Sequence, residues 1–354
     1  MLTAIDSFKG CLTSAEANRA AAEGVRAVCP DATIVQLPVS DGGEGWLEAY
    51  HSAVGGVLKR MPVCDPLMRR VEASYLLCGD TAVIEMARAS GLTLLSADER
   101  NPLLTSTYGT GQLVADAVRQ GVRHIIVGLG GSATSDDGRG MLRALIDAFA
   151  PQGHWRDISC LQDVRFTIAT DVSNPLYGSE GAAHVFAAQK GATPEMITLL
   201  DTRSRRFAEA SARHFGFDRS SEPGAGAAGG LGYAFLQYLH AERRPGIQLL
   251  LEAAGFPRLV QDADLVITGE GSADRQTLMG KLPIGILRAS GHVPVCLIAG
   301  HIHDRQSFLD AGFSRAECIN PPGLPLSDAL QPQTARNNIQ QTVTRLLRTL
   351  MPYG

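Results

Sequence analysis

Short apolar segments rich in β-branched residues recur along the chain, and stretches with helical character separate them. The segments predicted to be strands are residues 32–39, 124–129, 166–169, 265–268 and 293–299. Buried strands that alternate with helices are typical of α/β proteins, in which the strands are largely parallel. The pattern therefore predicts an α/β fold.

Two of the intervening stretches carry helix signals. Thr13, Ser14 and Glu16 open an alanine-rich helix, because a Ser or Thr cap followed by an early Glu satisfies the first free N–H groups of a helix. Residues 109–120 are predicted to form another helix. These signals agree with the alternation of strands and helices.

The length of 354 residues favours two domains over one. Changes in composition predict that the chain passes from one domain to the other at residues 62–70 and 252–262. Two crossings make one domain discontinuous, so we predict a domain from residues 1–65 plus 262–354. A second domain, residues 66–261, is then inserted in it.

The composition excludes several classes of function. The chain has 32 basic and 36 acidic residues and a net charge of -4, so it lacks the excess of basic residues that is typical of proteins that bind nucleic acid. No apolar run approaches the ~20 residues that span a bilayer. Seven cysteines with no Cys-x-x-Cys pair argue against a disulfide framework and a zinc site. We therefore expect a cytoplasmic protein with a small-molecule ligand, and leave open whether it forms a homo-oligomer.

Glycine clusters with polar residues directly after several predicted strands. The clusters are residues 41–45, 128–138, 224–232 and 269–271. Ligands of parallel α/β folds bind outside the carboxyl ends of strands, where glycine lets backbone N–H groups approach an anion. One such cluster is explained by a tight turn alone, but four together predict a phosphorylated ligand.

Common catalytic motifs do not account for these clusters. None fits the P-loop, residues 128–131 lack the dinucleotide-binding spacing, and no G-x-S-x-G elbow occurs. His301 and His303 form the only close histidine pair, and a surface loop after a strand explains them. A nucleotide would therefore be held in another way.

Acidic and basic side chains accompany the first two clusters of polar residues. Asp6, Ser7 and Lys9 follow a short first strand and suit phosphate with Mg²⁺, although for these residues taken alone a turn cap and a solvated lysine are the favoured explanation. Asp41 and Glu44 stand beside glycines and need a cation, substrate hydroxyl groups or exposure to water. Both groups are candidates for a site.

Further candidates follow the middle strands. Residues 132–137 bring hydroxyl groups and Asp136 to a loop that suits phosphate or sugar, or that caps the next helix. Asp171 and Asn174 follow another strand, and Gln189 with Lys190 adds an amide and a cation. A structural role for a lone strand-end aspartate is the competing interpretation.

The last cluster is the richest in chemistry. After the strand 265–268, two glycines free the backbone, Glu270 and Asp274 supply negative charge, and Lys281 offers a cation to phosphate. Gln276 and Thr277 add hydrogen-bonding groups. Phosphoryl transfer needs chiefly positioning and charge stabilisation, for which Lys, Mg²⁺ and backbone N–H groups suffice.

In chain order, these motifs resemble the bacterial glycerate kinase family, of the type that forms 2-phosphoglycerate. The matching stretches are residues 6–10, 41–45, 130–134, 171–175, 189–192, 224–232 and 267–281. The resemblance implies ATP and Mg²⁺ as cofactors, D-glycerate as acceptor and a cytoplasmic location. It also implies two α/β domains, one of them flavodoxin-like with a parallel sheet and built from both chain ends, and an active site in the cleft between them.

We assign roles to residues on this basis. The residues assigned to catalysis are Asp6, Lys9, Asp171, Asp274 and Lys281. Those assigned to substrate or nucleotide binding are Ser7, Asp41, Gly42, Gly43, Glu44, Gly130, Gly131, Ser132, Thr134, Asp136, Asn174, Gln189, Lys190, Gly269, Glu270, Gly271, Gln276 and Thr277. Glu270 and Asp274 are the expected Mg²⁺ ligands.

The sequence departs from the family pattern at position 272, where Ser stands in place of the expected Arg or Lys. Residues 135–137 and 187–188 also differ from the pattern. Loss of the cation at 272 would weaken phosphate or carboxylate binding, unless Lys9, Arg275 or Lys281 compensates. Two alternatives therefore stay open: a kinase for another small sugar acid, and a non-catalytic sensor of a nucleotide or sugar phosphate.

Overall fold

The computed structural model describes residues 1–350, so residues 351–354 of the predicted discontinuous domain lie outside the described chain. The strands are β1 (Leu2–Ile5), β2 (Val35–Gln36), β3 (Val57–Cys64), β4 (Arg70–Cys78), β5 (Thr81–Glu85), β6 (His124–Gly128), β7 (Arg165–Ala169), β8 (Glu242–Arg244), β9 (Val266–Ala273), β10 (Val295–Ile302) and β11 (Arg315–Cys318).

The helices of the N-terminal half are α1 (Ser14–Arg26), α2 (Trp46–Val54), α3 (Ala87–Ser90), α4 (Tyr108–Arg119), α5 (Arg139–Phe149) and α6 (Ala182–Phe186). Those that follow are α7 (Pro194–Phe215), α8 (Ala227–Leu239), α9 (Gly246–Ala253), α10 (Phe256–Gln261), α11 (Arg275–Leu278), α12 (Leu282–Ala289), α13 (Arg305–Asp310), α14 (Leu326–Ala329) and α15 (Pro332–Leu350). Short 3₁₀ turns occur at Leu92–Leu94, Ala97–Glu99, Trp155–Asp157 and Ala188–Lys190.

The chain divides into two compact units. The first comprises Met1–Asp41, Glu48–Val54 and the chain from Ile247 onward. The second comprises Gly42–Leu47 and Gly55–Gly246. Composition placed the domain boundaries at 62–70 and 252–262, later in the chain than the breaks after Val54 and Gly246.

The first unit is built on a five-stranded sheet in the order β2-β1-β9-β10-β11. Every neighbouring pair in it is parallel. Numbered within this unit, the order is 2-1-3-4-5, which is the flavodoxin-like arrangement. The α/β fold with a flavodoxin-like sheet predicted above is therefore confirmed.

Helices α1 and α15 cover one face of this sheet. The apolar stripe of α1, including Ala17, Ala21 and Val25, is fully buried with Ile339 and Val343 of α15. The predicted cap is present, since Thr13 Oγ1 accepts from the Glu16 N–H while the Glu16 carboxylate accepts from the Thr13 N–H. The capping box therefore provides hydrogen-bond acceptors for the backbone N–H groups of Thr13 and Glu16 at the start of α1.

The second unit contains a six-stranded mixed sheet in the order β3-β4-β5-β6-β7-β8. Strands β3, β4 and β5 pair antiparallel, and β5 to β8 pair parallel. At the β3–β4 turn, Asp65 accepts hydrogen bonds from the N–H groups of Leu67 and Arg69, both at 2.8 Å. The sequence pattern did not predict this antiparallel edge.

Two strand predictions need correction. The segment 32–39 forms a strand only at Val35–Gln36, because it lies at the sheet edge and pairs with just two residues of the short β1. The strand predicted at 265–268 continues to Ala273, because β10 runs beside it as far as the Ala273–Ile302 pair. Gly269, Glu270 and Gly271 are thus strand residues, not a loop. Among residues 1–350, no helix is both long and apolar enough to span a membrane.

Candidate active site

The carboxyl edge of the first unit's sheet carries several of the predicted residues. Its strand order reverses between β1 and β9, and ligands of such folds bind outside the strand ends at this point. Asp6 directly follows β1, and Glu270 lies near the end of β9. Their backbones are adjacent, since the Asp6 N–H donates to the Gly269 carbonyl oxygen at 2.9 Å. The fold therefore brings two predicted carboxylates to its ligand-binding edge.

Asp41 joins Asp6 and Glu270 in a cluster of interacting carboxyl groups. Burial, and then the negative charge of Asp41, raises the pKa of Asp6 to about 8. Burial also raises the pKa of Glu270, and the charge of Asp41 adds to this effect. Carboxyl groups that interact in this way do not all ionise without a cation or hydrogen-bond donors. The cluster therefore favours a cation or substrate hydroxyl groups as its ligand.

A tight turn after β1 presents Ser7 and Lys9. The buried residues Phe8 and Leu12 anchor it by exchanging two backbone hydrogen bonds of 2.9 Å. The Ser7 N–H donates to Asp6 Oδ1 at 2.7 Å, and Lys9 stands exposed at the tip. Since the charge of Lys9 acts to lower the pKa of Asp6, this cation lies within electrostatic reach of the carboxyl cluster.

Asp274 and Thr277 shape the turn after β9. Asp274 Oδ1 accepts from the N–H groups of Gln276 at 2.7 Å and Thr277 at 3.2 Å, so it caps α11. The buried Thr277 hydroxyl donates to Glu270 Oε1 at 2.6 Å. Lys281 Nζ lies 4.0 Å from Asp274 Oδ1, and both of these side chains are 38% exposed. Thr277 therefore orients Glu270, while Lys281 stays accessible.

A cavity of about 920 Å³ opens over this edge of the sheet. Ionisable side chains line it beside β1 and β9, namely Asp6, Lys9, Asp41, Glu270, Asp274 and Lys281. Apolar side chains line it beyond β11, namely Ile319, Pro321, Pro322, Leu324, Leu326 and Leu330. The volume falls in the range of about 300 to 1,000 Å³ that is usual for small-molecule pockets. The first unit therefore contains a site of the right size and chemistry for a phosphorylated ligand.

Sequence reasoning missed the apolar side of this cavity. Its signal was the segment 319–330, where several prolines and leucines occur with few charges and without helical or strand periodicity. His301 was also assigned to a surface loop, yet it belongs to β10 and lines the cavity. Ser272, opposite His301 in the strand register, lines it as well. The position at which the resemblance leads us to expect a cation thus lines the cavity.

In the second unit, Lys190 closes the loop that follows β6. Its ammonium group donates to Ser132 Oγ at 2.8 Å and to the Thr134 carbonyl oxygen at 2.6 Å. The lysine is only 2% exposed, and burial lowers its pKa to about 7. Thr134 is fully buried beside it. Lys190 therefore holds this loop from within the protein.

Asp136 is surrounded by donors from its own unit. Asp136 Oδ2 accepts from the N–H groups of Thr107 at 2.8 Å and Gly140 at 3.0 Å, and Oδ1 accepts from Gly138 at 3.1 Å. The Thr107 hydroxyl donates to the same carboxylate at 2.9 Å. The neighbouring Asp137 is buried, which raises its pKa to about 7. The carboxylate of Asp136 thus joins the beginnings of α4 and α5.

Gly42, Gly43 and Gly130 pack backbone against backbone in the second unit. The Gly130 N–H donates to the Gly42 carbonyl oxygen at 3.0 Å, and a Cβ on Gly130 would lie 2.4 Å from the Gly43 Cα atom. Only glycine permits that approach. Gly131 and Glu44, which adjoin these glycines in the chain, are exposed.

The remaining candidates of the second unit lie at or near its surface. Asp171 follows β7 as expected and is exposed, as is Gln189. Asn174 is half-buried, and its side-chain amide donates to the Glu180 carbonyl oxygen at 2.8 Å. Asp171 and Gln189 are therefore accessible to a ligand, whereas Asn174 also stabilises its own loop.

The glycine cluster 224–232 differs from the open anion-binding loop that we predicted. Its residues are buried at the start of α8. Ala228, Gly229 and Gly230 have positive φ angles, and a Cβ on Gly229 would lie 2.0 Å from the Thr134 carbonyl oxygen. This cluster therefore provides close packing against the loop after β6, not access for a ligand.

Known proteins share the sequence features of both units. The profile described as the Glycerate kinase family matches residues 1–154 and 155–351. A glycerate kinase of Bacillus subtilis (strain 168) is 43% identical over 94% of this chain and 93% of its own length. A glycerate 2-kinase of Escherichia coli (strain K12) is 40% identical over 89% of this chain and 90% of its own length.

The fold also has a solved relative. A crystal structure provisionally assigned as glycerate kinase 2, from Salmonella typhimurium LT2, aligns with a TM-score of 0.82 and 39% sequence identity. The alignment covers 99% of this chain and 98% of that protein.

Proposed function

Because the chain belongs to the glycerate kinase family, we propose that it transfers the γ-phosphoryl group of ATP to D-glycerate and forms 2-phosphoglycerate. The observation that carries this proposal is the cavity of the first unit, where carboxyl groups and two lysines meet at the ligand-binding edge of the sheet. Cations for phosphate oxygens and carboxyl groups for a hydroxyl group are the parts that phosphoryl transfer requires.

Asp6 is the proposed general base. Its carboxylate would accept the proton of the attacking glycerate hydroxyl group, and a base is most effective when its pKa lies near the working pH. Burial and the charge of Asp41 raise the pKa of Asp6 to about 8, which meets that condition. Asp41 is proposed to orient the same hydroxyl group.

Lys281 is proposed to stabilise the transferred phosphoryl group. It is accessible in the cavity, and its distance of 4.0 Å from Asp274 leaves a loose ion pair that phosphate oxygens can replace. A cation aimed at charge that develops in the transition state increases the rate of the chemical step. The exposed Lys9 is proposed to bind a second phosphate group of ATP.

Mg²⁺ is the proposed metal cofactor, with Glu270 and Asp274 as the carboxylates that would hold it. Carboxylate oxygens are the ligands that Mg²⁺ prefers, and it commonly takes one or two of them with substrate phosphates and water. Among residues 1–350, no group of three His, Cys, Asp or Glu side chains could hold a metal ion alone. An Mg²⁺ ion shared with ATP would neutralise phosphate charge.

The second unit contributes proposed ligand contacts of its own. Glu44, Gly131, Ser132, Asp171, Asn174 and Gln189 are at least partly exposed. Lys190, Thr134 and Asp136 are proposed to keep these loops in shape, because their polar groups are buried or hydrogen-bonded within the unit. We also propose that the protein is cytoplasmic, where ATP is available as the phosphoryl donor.

The proposal is tested by ADP release with D-glycerate, L-glycerate and larger sugar acids as acceptors. We expect turnover with D-glycerate that stops in excess EDTA and is restored by added Mg²⁺. Phosphorus NMR of the product should show phosphate on carbon 2. A product phosphorylated on carbon 3, or faster turnover with a larger sugar acid, would contradict the proposed reaction. ATP binding without turnover on any acceptor would favour a sensor.

A further inference from the structure

The apolar wall of the first unit's cavity has no role in the chemistry above. We define it as Pro321, Pro322, Leu324, Leu326 and Leu330, all of which line the cavity. Leu326 is 72% exposed and Leu330 is 44% exposed. Large apolar side chains that are exposed together in a concavity mark a ligand or partner site, whereas scattered ones do not.

The wall is held in place by hydrogen bonds beneath it. Asn320 precedes it and donates through its side-chain amide to the Gly300 carbonyl oxygen at 2.8 Å. The Asn338 amide in turn donates to Asn320 Oδ1 at 3.1 Å. Both polar atoms of the Asn320 side chain are thus engaged, and prolines at 321 and 322 restrict the backbone. The wall is a preformed surface that offers apolar contact and little side-chain hydrogen bonding.

Glycerate does not account for such a wall, because it is a small acid with almost no apolar surface. ATP combines a flat, largely apolar base with a polyanionic tail. The cavity shows the same change in character along the sheet edge, from the apolar wall beyond β11 to Lys9 and Lys281 beside β1 and β9. The volume of about 920 Å³ is also ample for a nucleotide together with a small acceptor.

We propose that the apolar wall binds the base and ribose of ATP, so that the triphosphate extends towards Lys9 and Lys281. This inference rests on the proposed function, because it takes ATP as the phosphoryl donor. It assigns the nucleoside to a segment that sequence motifs left without a role. It also predicts weak selection among bases, since apolar contacts discriminate between related ligands by only about 10- to 200-fold, whereas dedicated polar contacts reach about 10⁴-fold.

The test substitutes Leu326→Asp and Leu330→Asp, with Leu199→Asp as the control. Leu199 is 41% exposed on α7 and belongs to the second unit, so it matches Leu330 in exposure but lies outside the cavity. Each variant is assayed for the KM of ATP and of D-glycerate. Direct binding of a fluorescent N-methylanthraniloyl-ATP is measured without any acceptor.

We expect each wall variant to raise both the KM for ATP and the Kd of the fluorescent nucleotide by about 10-fold or more, because burial of one leucine corresponds to about 10- to 100-fold in affinity. The KM for glycerate should change by less than about twofold, and the control variant should match the wild type.

Unchanged nucleotide affinity in both wall variants would overturn the inference, as would a rise confined to the KM for glycerate. A change in molar mass by light scattering with unaltered nucleotide binding would assign the wall to a second copy of the chain and overturn it too. The binding measurement needs no acceptor, so it tests the nucleoside site even if glycerate proves not to be phosphorylated.

Discussion

Residues 269–281 of the first unit and residues 128–138 of the second have a similar composition, rich in glycine, acidic and hydroxyl residues. Their acidic side chains nevertheless have different environments. In the first, Glu270 and Lys281 line a cavity and burial raises the pKa of Glu270. In the second, Asp136 accepts hydrogen bonds from Thr107 and Gly140, and Thr134 is fully buried. The acidic residues of the first segment line a cavity, whereas Asp136 of the second segment is satisfied by donors of its own unit.

The difference shows that the composition of the segment after a strand does not tell ligand-binding residues from residues that stabilise the fold. A carboxylate surrounded by N–H donors from neighbouring helix ends is satisfied without a ligand. Carboxyl groups that raise each other's pKa gain from a cation or from substrate hydroxyl groups. Exposure to the cavity, together with repulsion from neighbouring carboxyl groups, is therefore the property that distinguishes Glu270 from Asp136.

The largest effect is expected for Asp6→Asn, which should lower kcat by about 10²- to 10⁴-fold, because the proposed base is removed. For the wild type, Asp6 must be ionised to accept a proton and its pKa is about 8. The kcat/KM of the free enzyme should therefore rise with pH from 6 and level off above about 8. A flat pH profile in the wild type would contradict the assignment.

Thermal unfolding provides the control for that variant. The folded-state pKa of Asp6 lies above its ordinary value of 3.8, so the folded protein binds more protons between pH 3.8 and about 8. Stability therefore falls progressively as pH rises through this window, because the Asp6 carboxyl group ionises in the unfolded chain while it stays protonated in the folded one. Asp6→Asn should raise the Tm at pH 8, and a lower Tm would indicate that its loss of activity arises from damage to the fold.

Lys281→Met should cut kcat by about 10²- to 10³-fold, by analogy with the removal of one preorganised stabilising donor. The physical reason is that a cation which meets charge in the transition state affects kcat, whereas one that binds the ground state equally affects KM. Steady-state kinetics with both substrates separates the two roles. A folded variant with unchanged kcat and a raised KM for glycerate would reassign Lys281 to the glycerate carboxylate.

Lys190→Met tests the closed segment of the second unit through stability. The pKa of Lys190 is lowered to about 7, so between pH 7 and its ordinary value of 10.5 the unfolded chain binds more protons than the folded one. The wild-type free energy of unfolding should therefore gain up to about 1.4 kcal/mol per pH unit in this window from Lys190. Urea unfolding at pH 7 and pH 9 should show that the variant loses this gain. Equal pH dependence in both proteins would contradict the buried environment of Lys190.

The smallest effect is expected for Ser272→Arg, which introduces the cation that the resemblance leads us to expect at this cavity-lining position of β9. An exposed ion pair contributes at most about 1 kcal/mol, so the KM for ATP or for glycerate should fall by about fivefold or less. Measurement of both KM values shows which ligand the introduced cation meets. If neither KM changes, position 272 makes no contact with either ligand.

The sequence by itself determined the class of fold and the family. Apolar periodicity located β6, β7, β9 and β10, because buried parallel strands are short apolar runs whatever surrounds them. The motifs around Asp6, Glu270 and Lys281 indicated glycerate kinase, and the family profile confirms that resemblance. The local sequence was sufficient for these conclusions because apolar runs and the spacing of motif residues are short-range properties of the chain.

Only the tertiary structure decided which polar residues line a cavity. It extended β9 through Gly271 because β10 lies alongside, and it buried Lys190 and the glycines 229 and 230 against the loop after β6. It also formed the apolar wall from residues 319–330, which carry no periodic signal. Accessibility and hydrogen-bond satisfaction depend on partners far apart in the chain. The free energy of placing a charge depends on those partners. Similar Gly, Asp and Ser residues therefore line a cavity around Glu270, whereas around Asp136 they hydrogen-bond within their own unit.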